Sequence, residues 1–132
     1  MRQKRILCVE DHPETCELIT AVLDDHKVVF ADTLQGAVEK IRSQVFNLFI
    51  LNYNLPDGDG LELCHRIRMV DKQTPIVFMT TYSTLTEEDV QRAGATTLVR
   101  KGWPDFTDAL LEGVGHSQPP QQQTQQPVRL AA

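Results

Sequence analysis

Short apolar runs alternate along this chain with longer stretches whose apolar residues recur at helical spacing. Ile6–Val9 is the first run, and it stops at Glu10 and Asp11. Pro13, a residue suited to the first turn of a helix, then precedes Leu18, Ile19, Val22 and Leu23. Val28–Ala31 reads as a second strand. Ala37, Val38 and Ile41 mark a helix over Leu34–Gln44, with Asp32 or Thr33 as its cap. Leu48–Leu51 is apolar throughout, as a strand buried on both faces should be. Asn54–Gly60 is a loop by composition, and Leu61, Leu63, Cys64 and Ile67 begin a third helix. Pro75 opens a strand over Ile76–Met79. Thr86 with Glu87, Glu88 and Asp89 is a helix start, and Gly94 ends that helix. Thr97–Val99 is a fifth strand. A last helix over Pro104–Val114 carries Phe106, Leu110 and Leu111 on one side.

Alternation of this kind implies a parallel sheet with helices on both faces. Five strands and five helices point to an α/β, flavodoxin-like, doubly wound sheet of order 2-1-3-4-5, whose working residues sit at the carboxyl ends of the strands. The chain has 132 residues, enough for one such domain. Residues 1–115 are expected to form it. From 116 to 132 the pattern collapses: Ser117–Ala132 holds six glutamines and three prolines. That stretch has too little apolar surface to offset its ordering entropy and is expected to be a disordered tail or a linker.

Charge and cysteine usage narrow the function. The chain carries 18 acidic residues against 13 Lys and Arg, a net charge of -5. A nucleic-acid binder would show a basic face instead, and Arg66 and Arg68 are too small a cluster to supply one. The N-terminal basic residues lead into only four apolar positions, which makes neither a signal peptide nor a membrane span. Cys8, Cys16 and Cys64 are widely spaced and odd in number, so they suggest small thiols in a reducing cytoplasm, not a zinc site or disulfides.

Four predicted strand ends carry polar residues that this fold would bring together: Glu10 and Asp11, then Asn52, then Thr80 and Thr81, then Arg100 and Lys101. Paired carboxylates after a buried strand suit Mg²⁺, which prefers oxygen ligands and retains several waters. A hydroxyl and an ammonium across from them could hold phosphoryl oxygens. Singly, each residue reads as ordinary surface. The joint placement at four strand ends is what points to a site.

The segments "ILCVEDHPETCELI", "LFILNYNLPDGDGLELC", "TPIVFMTTY" and "AGATTLVRKG" resemble the signature segments of response-regulator receiver domains, chemotaxis-regulator-like modules of two-component phosphorelay signalling. The match runs from about Lys4 to Val114. By that resemblance Glu10 and Asp11 are metal-binding acids, assisted by the backbone of Asn54. Thr80 and Lys101 form the phosphoryl-sensing pocket. A histidine kinase or another signalling protein is the implied partner.

Three positions depart from the family's pattern. Asn52 stands where the family has its phosphate-accepting aspartate. A carboxylate attacks phosphorus as an anion, and a neutral amide has no comparable nucleophile. Leu98 replaces the aromatic residue of the switch, and Gly102 replaces the proline that follows the lysine. The expectation is therefore a non-enzymatic pseudo-receiver that works through protein contact, with Mg²⁺ bound weakly or not at all. In it, Lys101 would turn to Asp11 or Glu10. The competing reading is a phosphorylated switch that uses Asp57 or Asp59. His12 beside the acids could join a metal site or be a plain loop residue. Trp103 could anchor a partner or pack on the last helix.

Overall fold

The protein, described by a computed structural model over residues 3–116, alternates strands and helices throughout. In order these are β1 (Arg5–Val9), α1 (Pro13–Val22), β2 (Lys27–Ala31), α2 (Leu34–Ser43), β3 (Leu48–Asn52), β4 (Asn54–Leu55), β5 (Gly58–Asp59), α3 (Gly60–Val70), β6 (Ile76–Thr80), α4 (Glu87–Arg92), β7 (Thr97–Arg100) and α5 (Phe106–His116). β4 and β5 are the two-residue arms of an antiparallel hairpin inside the segment that composition marks as a loop. The other five strands form one parallel sheet in the order β2-β1-β3-β6-β7. With the hairpin set aside this is the expected 2-1-3-4-5 order.

Side chains alternate across the sheet, and two separate cores result. Leu7, Val9, Phe49, Leu51, Ile76 and Phe78 pack under α2, α3 and α4. Ile6, Cys8, Leu48, Ile50, Val77 and Met79 pack under α1 and α5. All five residues of β3 and all five of β6 are buried, as strands covered on both faces must be. Cys8 and Cys64 lie within these cores, and burial pushes the Cys64 thiol up to about 11. Such thiols stay protonated and unreactive.

Local chemistry sets the helix starts. Thr33 caps α2 by accepting from Gly36 N at 2.8 Å, and Asp59 caps α3 by accepting from Glu62 N at 2.8 Å. Thr86 and Asp89 form a capping box at α4. α5 begins at Phe106 because Trp103 to Asp105 form a turn, with Phe106 N donating to Trp103 O. Leu111 departs from expectation and is exposed. Phe106, Leu110 and Val114 are four residues apart and share the buried face, so the next residue along, Leu111, is turned about 100° away from it. The helix ends at His116, and the glutamine-rich stretch beyond lies outside the described residues. Among those residues no helix is long and apolar enough to cross a membrane.

Candidate functional site

Parallel pairing brings four strand ends to one edge. Val9 lies opposite Leu51, Asn52 opposite Met79, and Thr80 opposite Arg100. Main-chain bonds extend this register past the strands: Glu10 N donates to Ala31 O, Tyr53 N to Met79 O, and Lys101 N to Thr80 O. Glu10, Asn52 and Thr80 are consequently buried polar residues at the rim of an apolar sheet. An open cleft of about 390 Å³ runs beside them, lined by His12, Asn52, Asn54, Thr81, Lys101 and Gly102 among others.

Every polar atom of the Asn52 side chain has a partner. Its Nδ2 donates to Asn54 O at 2.7 Å and, over a longer 3.4 Å, to Glu10 Oε2. Its Oδ1 accepts from Lys101 Nζ at 3.3 Å. Lys101 Nζ also donates to Glu10 Oε1 at 2.8 Å, so the lysine turns to Glu10 and not to Asp11. Glu10 Oε2 further accepts from the backbone N–H groups of Asp11 and His12, both at 3.1 Å. This answers the desolvation problem of a buried carboxylate, which is tolerable only when paired and hydrogen-bonded. Gly60 closes the floor: a Cβ there would stand 2.2 Å from Asn52 O, so no larger residue fits without moving the strand end.

Thr80 reaches the same edge, but its hydroxyl accepts from Tyr82 N at 2.9 Å within its own chain turn. Leu98 is half-buried and packs on the core beside α4. Gly102 has φ +81, a left-handed conformation that glycine adopts without penalty. His12 is largely exposed, with Nδ1 3.1 Å from Glu10 Oε2.

Two contributions escape sequence reasoning. Arg100 donates to Tyr82 O at 2.8 Å and to Leu85 O at 2.6 Å, clamping the β6–α4 loop, while its guanidinium lies under the Trp103 ring at 5.5 Å. Trp103 remains 57% exposed. Asp57 accepts from Leu34 N at 2.7 Å and from Gln35 N at 3.0 Å, which places an anion at the start of α2 beside the Thr33 cap. The Gln35 N–H foremost holds its carboxyl below the ordinary carboxylate range, with a lesser contribution from that of Leu34 and with burial opposing both.

The family resemblance assigns a divalent cation to Glu10, Asp11 and the Asn54 carbonyl. Glu10, Asp11 and His12 each bring a ligand atom within 4.8 Å of the others. Asp11 Oδ1 is buried without a hydrogen bond; His12 Nδ1 is 3.3 Å away but bonds to Glu10 instead. That oxygen alone resembles a waiting ligand. Both Glu10 oxygens and the Asn54 carbonyl accept from protein donors.

A doubly wound five-stranded domain with acids, an amide, a hydroxyl and a lysine gathered at its strand ends has the architecture of a receiver-type signalling module. The Response regulator receiver domain profile matches residues 6–111, and the chain belongs to that family. It is 32% identical over 104 residues to the response regulator protein PilR of Pseudomonas aeruginosa, covering 76% of this chain and 23% of that protein. It is 30% identical over 82 residues to the signal transduction histidine-protein kinase BarA of Escherichia coli strain K12, covering 59% of this chain and 9% of the kinase. The chain thus spans under a quarter of the length of these curated relatives. Among solved structures, a CheY-like response regulator receiver domain protein from Methanospirillum hungatei JF-1 superposes with a TM-score of 0.76 at 26% identity, over 86% of this chain and 92% of that one.

Proposed function

We propose that this receiver domain takes no phosphoryl group at the usual position and acts in phosphorelay signalling by protein contact, without an enzymatic activity of its own. The observation that carries the reading is Asn52. It stands at the acceptor position, buried, with its amide bonded to Asn54 O, Glu10 and Lys101. No anionic oxygen is available there to attack phosphorus. Leu98 supports the same reading, since it brings no ring to the switch position.

Asp57 and Asp59 are the nearest alternative acceptors. Each is engaged at a helix start, Asp57 at α2 and Asp59 at α3. Phosphorylation of either would break a cap, so this alternative is the weaker one. Magnesium binding at Glu10 and Asp11 is weak or absent in this reading. A site with one carboxylate fewer loses on the order of 1–3 kcal/mol of cation binding.

The partner would be a histidine kinase or another signalling protein in the cytoplasm, met on the face built from α4, β7 and α5, which carries Leu98, with Trp103 close by. Membrane and nucleic acid are not expected partners of this domain. Incubation with acetyl phosphate and Mg²⁺, followed by intact-mass measurement, tests the central point: the chain should gain no phosphoryl group.

A further inference from the structure

We propose that the side-chain amide of Asn52 takes the place of a divalent cation in this pocket, holding together the oxygens that would otherwise be its ligands. The inference rests on the reading of a pocket that works without phosphorylation, and it is tested on cation binding instead of phosphoryl transfer.

The amide's orientation is fixed by its neighbours. Nδ2 carries two hydrogens and faces two acceptors, Asn54 O at 2.7 Å and Glu10 Oε2 at 3.4 Å. Oδ1 faces the Lys101 ammonium at 3.3 Å. The flipped amide would set its oxygen against a carbonyl and a carboxylate, and its N–H groups against an ammonium. Three attractive contacts would become three repulsive ones, so the hydrogen-bond network admits one assignment.

The same two acceptors are oxygens that a hard cation would use, a carboxylate and a carbonyl. The amide bridges them from its place at the end of β3, with no ion to recruit and no water to strip. Lys101 completes the arrangement from the other side, at 2.8 Å from Glu10 Oε1. Glu10, Asn52 and Lys101 form a closed ring of contacts that joins the ends of β1, β3 and β7. An entering ion would compete with Nδ2 for both oxygens, since the Asn54 carbonyl already accepts from it at 2.7 Å. The pocket is therefore pre-assembled in one state, and cation concentration has no lever on it.

The amide's hydrogen bonds and the missing carboxylate charge can be separated by mutation. Asn52→Ala has the charge of the wild type, but it frees Asn54 O of its amide bond and removes one of the donors crowded on Glu10 Oε2. If charge alone limits binding, Asn52→Ala and wild type bind Mg²⁺ and Mn²⁺ alike. If the amide is the obstacle, Asn52→Ala binds them more tightly by about tenfold, the worth of the hydrogen bonding removed.

The test is calorimetric titration of Mg²⁺ and of Mn²⁺ into wild type, Asn52→Ala and Asn52→Asp, each as the full chain. Tighter binding by Asn52→Ala than by wild type supports the proposal, and equal binding overturns it. A second readout is taken on the wild type itself. The Asn52 side-chain N–H resonances of the wild type, assigned by their loss in Asn52→Asp, should stay in place when millimolar Mg²⁺ is added. Resonances that shift progressively with added Mg²⁺ would show the ion displacing the amide's partners and overturn it. Phosphoryl labelling plays no part in either readout, so this inference and the proposed function can fail separately.

Discussion

Lys101 Nζ stands 2.8 Å from Glu10 Oε1 and 3.3 Å from Asn52 Oδ1, so one ammonium bridges the ends of β1 and β3 from the end of β7. The Glu10 side chain is fully buried and that of Lys101 is 11% exposed. Removing one member of such a pair leaves the other as an uncompensated buried charge. Lys101→Met should destabilise the domain by about 3 kcal/mol in urea denaturation. Adding Glu10→Gln to that variant should restore part of the loss, because the stranded charge is then gone. Equal stability of Lys101→Met and wild type would show that Glu10 finds another counter-charge or water.

Asp57 makes a pH-dependent contribution whose sign follows from its environment. The N–H groups of Gln35 and Leu34 hold its carboxyl below its ordinary value of 3.8. A group whose folded pKa is depressed stabilises above its unfolded pKa, and that contribution fades as pH falls through the folded pKa. Asp57→Ala should therefore be less stable than wild type at neutral pH by about 1 kcal/mol, the usual worth of a helix cap. The gap should narrow only once pH drops below 3.8. Stability curves measured against pH for the two proteins check this, and a gap that is constant down to the acid range would contradict it.

Arg100 gives the β6–α4 loop its order through two carbonyl contacts, to Tyr82 and Leu85. Arg100→Ala should speed amide exchange across residues 83–86 by about fivefold while leaving β3 and β6 protected, as expected when a local opening loses about 1 kcal/mol. Hydrogen-exchange mass spectrometry resolves the two regions. Unchanged exchange in the loop would mean that the capping box at α4 alone holds it.

The strands were legible because their apolar runs are continuous and their ends abrupt. Leu48–Leu51 needs two covered faces, and Glu10 cannot continue an apolar run. The meeting of Glu10, Asn52, Thr80 and Lys101 at one edge followed from parallel order alone. Other contributions were not legible, for a physical reason. Asp57 bonds backbone groups 22 and 23 residues away, and Arg100 reaches carbonyls 15 and 18 residues back. Neither partner is marked by residue type, since any backbone can offer an N–H or a carbonyl. Composition of the glycine-rich turn accounts for Asp57 without a role, and only the fold gives it one. Leu111 was misplaced because it adjoins Leu110, and spacing alone does not say which of two neighbouring leucines faces the sheet.

Loss of the phosphoryl acceptor at Asn52, with the rest of the pocket kept, is the reading proposed for this domain. Its most direct test is the intact mass of wild type and of Asn52→Asp after incubation with acetyl phosphate and Mg²⁺. The expected result is an unmodified wild type and an Asn52→Asp variant that gains one phosphoryl group, removable by hydroxylamine as an acyl phosphate should be. A wild-type chain that gains one phosphoryl group stoichiometrically would contradict it.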